Sequence, residues 1–137
     1  QHVMILPKDH GLALVDWCYS TTASPDNGAE PIKAISSQYR DWYPKEVMEK
    51  SSPSYGTDVS LAARTLVYLM GGDPVNLDMP ERIPKPIRAF FKGCCQANQD
   101  FRPQDAWALL QEFDELLEKM GDPYYPRRFR PFTVPTA

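Results

Sequence analysis

The chain has 137 residues, of which 42% are hydrophobic, with three Trp, seven Tyr, six Phe and a formal net charge of -3. That length and apolar content suit one domain with a buried core and argue against disorder. The acidic balance offers no general attraction to nucleic acid or an anionic membrane, and no apolar run nears the roughly 20 residues that span a bilayer.

In chain order, two short apolar runs come first, His2–Leu6 and Gly11–Val15, separated by Pro7-Lys8-Asp9-His10. Turn residues between two apolar segments predict a β-hairpin. Residues 18–43 lack periodicity and read as a long irregular loop, with a short strand expected at Ile32–Ile35. Loops of that length inside a compact domain are usually functional. Pro44–Lys50 predicts a short helix led by Pro. Asp58–Met70 is apolar on nearly every side, which predicts a buried central helix with Asp58 at its start and Gly71-Gly72 as its stop.

A Pro-rich stretch, 74–86, then precedes Ile87, Phe90, Phe91, Cys94 and Cys95, spaced as one face of a helix. The last predicted helix opens at Pro103, carries the stripe Ala106, Leu109, Leu110, Phe113, Leu117 and Met120, and stops at Gly121. Residues 122–137 show no period. The expected architecture is mainly α, a helical bundle around a buried central helix, with a small N-terminal β-hairpin.

Four patterns carry chemistry. Asp16-Trp17-Cys18 follows an apolar strand, where a carboxylate faces a cleft and can hold a hard cation, or can simply cap a turn. Tyr43-Pro44-Lys45-Glu46 precedes the central helix, Asp58 opens it, and Gln99-Asp100-Phe101-Arg102-Pro103 precedes the last helix. In this order they resemble the second half of a protein kinase C-terminal lobe, over roughly residues 2–120. Asp16-Trp17-Cys18 resembles the Asp-Phe-Gly segment, whose Asp binds the Mg²⁺ that bridges the nucleotide phosphates. The resemblance therefore implies Asp16 as metal and cofactor ligand, with Trp17 keeping a large ring for packing. Glu46 resembles the Glu that ends the activation segment, with one inserted residue, and Arg102 resembles the Arg that pairs with it in a structural, bidentate contact. Asp58 resembles the Asp at the start of the central C-lobe helix, which in the family holds the catalytic-loop backbone; in this chain it can equally be an ordinary cap.

The resemblance implies one domain over 1–137: a hairpin with its Asp-Phe-Gly-like segment (2–17), an activation-segment-like loop (18–50), a helical core (56–121) and a tail (122–137). It also implies that an intact parent would transfer phosphate from Mg-ATP to Ser or Thr of proteins. This chain alone is expected to be inactive and to bind no cofactor, because nothing in it resembles the catalytic loop, the Gly-rich loop or the strand Lys. The alternative is a pseudokinase or protein-interaction module. Favouring it are Cys18, whose Cβ would penalise positive φ where the family has Gly, and the Pro-rich 74–86, which leaves little room for the usual substrate-side helix. Expected partners are the remainder of a larger polypeptide and a protein substrate or docking partner, with no membrane.

The remaining features carry weaker expectations. Ser20, Thr21, Thr22, Ser24, Ser36 and Ser37 are candidate phosphorylation sites near Lys33 and Arg40, although hydroxyls also serve turns. Cys94-Cys95 with His2 and His10 match no zinc spacing and read as buried thiols. The tail, Pro123-Tyr124-Tyr125-Pro126-Arg127-Arg128-Phe129-Arg130-Pro131-Phe132, is basic and aromatic, but the acidic domain behind it disfavours nucleic acid, leaving a strap over the lobe or a partner contact. Glu112, Asp114, Glu115 and Glu118 read as a solvated face. An odd number of cysteines fits a reducing cytoplasm. The start on Gln1, at the approach to a strand, reads as a fragment of something longer.

Overall fold

In a computed structural model, residues 3–6, 11–22 and 30–124 are described. The fold is mainly helical with one two-stranded antiparallel sheet. β1 (Val3–Ile5) pairs with β2 (Leu12–Leu14) in the register Val3 to Leu14 and Ile5 to Leu12. The turn expected at residues 7–10 lies outside the described residues. Despite the apolar composition, Val3, Met4, Leu12 and Leu14 are exposed, Leu12 at 64%. A two-stranded hairpin buries little by itself, and the described residues lay no second layer over these side chains.

The segment 30–39 has no strand structure, so the strand expected at Ile32–Ile35 does not form. Ile32 is nevertheless buried, and its N–H donates to the Ser51 carbonyl at 3.3 Å. Its branched apolar side chain is used for packing, not for a ladder. A single 3₁₀ turn (Arg40–Trp42) leads to α1 (Lys45–Met48), with Pro44 just outside the helix in an extended conformation.

α2 (Tyr55–Leu69) begins three residues earlier than its apolar run suggests. Ser54 is its N-cap, and the Ser54 N–H donates to the Thr57 hydroxyl at 3.1 Å. Asp58 therefore stands at the fourth helical position and does not cap. The helix ends where Gly71 takes φ 83, a conformation that costs a side-chain-bearing residue about 1–2 kcal/mol. Nor is α2 buried all round. Gly56, Thr57, Ser60, Ala63 and Val67 form one buried stripe, while Leu66 and Leu69 are 45% and 59% exposed. Burial needs a covering layer as well as an apolar side chain, and the described residues cover one side only.

No helix occupies residues 70–84. Arg64 reaches across to the carbonyls of Pro74 and Val75, Arg82 donates to the Met70 carbonyl at 2.8 Å, and Asp73 pairs with Asp78 in an isolated bridge. α3 (Lys85–Cys94), with Pro in its first turn, lays Ile87, Phe91 and Cys94 against α2, as its spacing predicts. α4 (Ala106–Met120) starts three residues after Pro103, because the Asp105 carboxylate caps it by accepting from the N–H groups of Trp107 and Ala108. Of the stripe predicted for α4, Leu117 is buried, Leu109, Phe113 and Met120 are half-buried, and Ala106 and Leu110 stay open.

The core is Ala63, Val67, Met79, Ile87, Phe91, Cys94, Cys95 and Leu117, with Phe90 and Phe113 stacked at 4.9 Å on its flank. Both adjacent thiols are buried and free, as read from the sequence, and the Cys95 thiol donates to the Ser60 carbonyl at 3.6 Å. Burial first, then the neighbouring Cys95 and the charge of Glu112, push the Cys94 thiol up to about 11, which leaves it unreactive at neutral pH. No helix of the described residues is long and apolar enough to cross a membrane.

Candidate functional site

The chemistry-bearing residues fall into two groups. The first is a buried polar knot between α1, α2 and the connection from α3 to α4. Glu46 on α1 and Arg102, 56 positions apart in the chain, are 7% and 4% exposed. Arg102 Nη1 donates to Glu46 Oε1 at 2.5 Å and Nη2 to Glu46 Oε2 at 3.3 Å, the forked contact that only a guanidinium makes. Two further Arg102 donors reach backbone: Nε gives to the Gln96 carbonyl at 2.6 Å, and Nη2 to the Ala97 carbonyl at 3.2 Å. The Thr57 hydroxyl, from the first turn of α2, donates to Glu46 Oε1 at 3.0 Å. Every charged atom of the pair is thereby satisfied, as a buried ion pair requires.

Two residues that sequence reasoning missed complete the knot. The Gly56 N–H donates to Gln104 Oε1 at 3.0 Å, while Gln104 Nε2 donates to the carbonyls of Gln99 and Arg102. A Cβ at Gly56 would stand 2.5 Å from that Nε2 and 3.0 Å from the Arg102 Cβ, so a side chain here would have to displace the Gln104 amide from its hydrogen bonds. The available signal was a helix-disfavouring Gly placed inside what proves to be the first helical turn, beside a Thr.

Burial alone would raise the Glu46 pKa, but the Arg102 hydrogen bonds, the Glu46 backbone N–H, the Arg102 charge and the Thr57 hydroxyl together hold it below its ordinary 4.5. Because the folded value lies below the unfolded one, the pair's contribution to stability is complete above pH 4.5 and is lost as pH falls through the folded value. We expect acid unfolding of the wild-type chain to show this loss, and Glu46→Gln to start less stable at neutral pH with a flatter acid limb. Urea midpoints measured at a series of pH values check it; parallel acid limbs for the two proteins would refute it.

The second group lies around the hairpin exit. Asp16 takes φ 62, the left-handed conformation that Asp tolerates better than most residues. The residue under suspicion from sequence, Cys18, is not among the positive-φ positions, so its Cβ is not the obstacle expected. Instead the Cys18 thiol donates to Asp16 Oδ1 at 2.7 Å, and that hydrogen bond, slight burial and the Asp16 charge raise the thiol's pKa. Trp17 was expected to pack, yet it is 64% exposed. It lines one wall of a cavity of about 290 Å³ shared with Ile32, Tyr43, Val47, Asp58 and Leu61. Asp58 therefore faces this cavity beside the Glu46 knot, and desolvation raises its pKa.

Among the described residues no three Asp, Glu, His or Cys side chains cluster to hold a metal ion. Asp16 supplies one carboxylate at a strand exit, a donor type suited to Mg²⁺, whose other ligands would be phosphate oxygens, water and groups outside this region. Of the hydroxyls singled out, Ser20 donates to the Trp17 carbonyl at 2.6 Å and Ser36 accepts from the Gln38 N–H at 3.2 Å, both turn contacts. Lys33 is paired with Glu30 at 2.9 Å. Ser24, His2, His10 and the basic tail beyond Tyr124 lie outside the described residues.

No protein family, curated protein or solved structure matches this chain.

Proposed function

We propose that this chain is the C-terminal portion of a protein kinase-like domain, whose intact parent transfers phosphate from Mg-ATP to Ser or Thr of proteins. The observation that carries the reading is the forked, buried Glu46–Arg102 pair. Two residues chosen by their likeness to a family's anchoring pair, 56 positions apart, meet with both carboxylate oxygens engaged. An irregular loop that must present a protein substrate needs such an anchor, since its own backbone makes few ladder bonds. Two further facts support it. Asp16 follows the second hairpin strand at a polar exit, and Asp58, in the first turns of α2, lines the cavity it shares with Trp17 and Tyr43.

In this reading Asp16 would help hold Mg²⁺ in the parent, and the metal would neutralise charge on the nucleotide phosphates. Glu46, Arg102 and Thr57 act on structure alone, fixing the end of the 18–43 loop against α2. The three free cysteines fit a reducing, cytoplasmic setting. A second reading, a pseudokinase or docking module, is favoured by two observations: the Cys18 thiol donates to Asp16 Oδ1, and no helix fills residues 70–84, where the resemblance implies a substrate-side helix.

The test has two arms. The 137-residue chain is titrated with Mg-ATP by calorimetry, and no binding is expected; micromolar affinity would show that the nucleotide site does not need the missing groups. The complete reading frame containing the chain is then assayed for transfer of γ-phosphate to protein Ser or Thr. Transfer supports the first reading. A parent that lacks a catalytic-loop Asp and strand Lys and transfers nothing leaves the second.

A further inference from the structure

Among the described residues, one side of the helical core is an open apolar groove. It begins beside Tyr55, Asp58, Gln104 and Asp105 as an opening of about 500 Å³, and continues as a second of about 230 Å³ past Leu66, Phe90, Leu110 and Phe113. The two share Val59, Ala62 and Ala106, so they form one channel along α2 and α4. From Tyr55 to Leu66 its length is about 16 Å, three turns of helix. The walls are helical ridges: Val59, Ala62 and Leu66 on α2 face Ala106, Leu110 and Phe113 on α4, with the two alanines making the narrow middle a side-chain knob can enter.

The electrostatics of the channel are one-sided. Among the described residues its only charged lining groups are the carboxylates of Asp58 and Asp105, both at the same end. Asp105 uses Oδ1 for the α4 cap, and no hydrogen bond to the Asp58 carboxylate is seen among the described residues. Glu112 adds negative charge near Cys94, which lines the floor.

We propose that this groove docks an amphipathic helix of a partner polypeptide, with apolar residues at i, i+3, i+4 and i+7 and Lys or Arg at the end that meets Asp58 and Asp105. An extended strand is disfavoured because the groove walls are helices whose backbone groups are already paired, whereas a helix satisfies its own. A second copy of this chain is disfavoured because, among the described residues, its own groove lining brings two more carboxylates and no cation to match Asp58 and Asp105. A basic amphipathic helix supplies apolar knobs for the channel and cations for its mouth. The proposal does not depend on phosphotransfer by the parent.

The probe is a labelled 18-residue peptide with Leu at those helical positions and Lys elsewhere, titrated into the 137-residue chain by fluorescence anisotropy. Its counterpart keeps the Leu stripe and replaces every Lys with Glu. The Lys peptide is expected to bind at least tenfold tighter. Ala62→Arg, at an exposed helical position one turn after Asp58, places a cation within reach of that carboxylate and blocks the channel; it should weaken binding at least tenfold. Leu110→Lys, at a 38% exposed position on the opposite wall, should do the same should the first variant fold poorly. Glu115→Gln, an equal charge change on an exposed part of α4 outside the groove, should leave affinity unchanged. Equal binding of the two peptides, retained binding by both groove variants, or an equal loss in Glu115→Gln would overturn the proposal. Sedimentation showing that the wild-type chain self-associates and Ala62→Arg does not would instead assign the groove to a second copy.

Discussion

Arg102→Met is expected to destabilise the chain by about 3–5 kcal/mol, the largest single effect on folding anticipated for it. The substitution leaves the Glu46 carboxylate buried without its cation, and leaves the Gln96 and Ala97 carbonyls without their donor. Arg102→Lys keeps the charge but offers one ammonium in place of a fork. It cannot serve both Glu46 oxygens and two carbonyls, so it should fall between wild type and Arg102→Met. The double variant Glu46→Leu/Arg102→Met removes both charges together and should recover much of the loss, because desolvation of two ions offsets most of what a buried pair contributes. Full recovery is not expected, since the two carbonyls lose their Arg102 donor and the Thr57 hydroxyl loses the carboxylate it donates to. Urea unfolding with constant m-values across the set measures this. A loss under 1 kcal/mol for Arg102→Met would mean that the knot does not hold the fold.

Asp16→Asn in the complete polypeptide is expected to reduce phosphate transfer by about 10²–10³-fold or more in kcat, the scale seen when one preorganised charge-stabilising group is removed. Asn is chosen because it keeps the size of the side chain and tolerates φ 62, so backbone strain is not introduced with the loss of charge. Folding should be little affected, because the side chain is exposed and Asn keeps its hydrogen-bonding shape. Binding of a protein partner should be unchanged. Transfer that survives Asp16→Asn at wild-type rate would remove Asp16 from any metal site and favour the docking reading. Cys18→Gly is the complementary change: it removes the thiol that donates to Asp16 Oδ1, and faster transfer or tighter Mg²⁺ dependence would identify the thiol as a brake on that ligand.

The legibility of the molecule differed from element to element for physical reasons. α3 and the body of α4 were visible because their apolar residues fall on one face at helical spacing, and that face is the one buried. The start of α2 was hidden, since its first turn is polar: Ser54, Gly56 and Thr57 serve a cap, a close approach and a buried hydrogen bond, none of which leaves an apolar period. The start of α4 was misplaced for a related reason, because Asp105 caps more effectively than Pro103 initiates. Gln104 gave no signal, as a glutamine that bridges two backbone segments looks in sequence like any surface glutamine.

What the amino-acid order settled alone was local: which stretches coil into helices, where Gly71 stops one, where prolines forbid another, and which residues are apolar enough to seek cover. Which of them obtain it was decided only in three dimensions. Leu66, Leu69 and Leu12 are as apolar as Val67, but Val67 meets a second layer and the others do not, because burial is a property of two surfaces. In the same way Glu46 and Arg102 are ordinary charges until folding removes water from both and leaves each as the other's main partner, and it is that shared desolvation which turns a distant pair into an anchor.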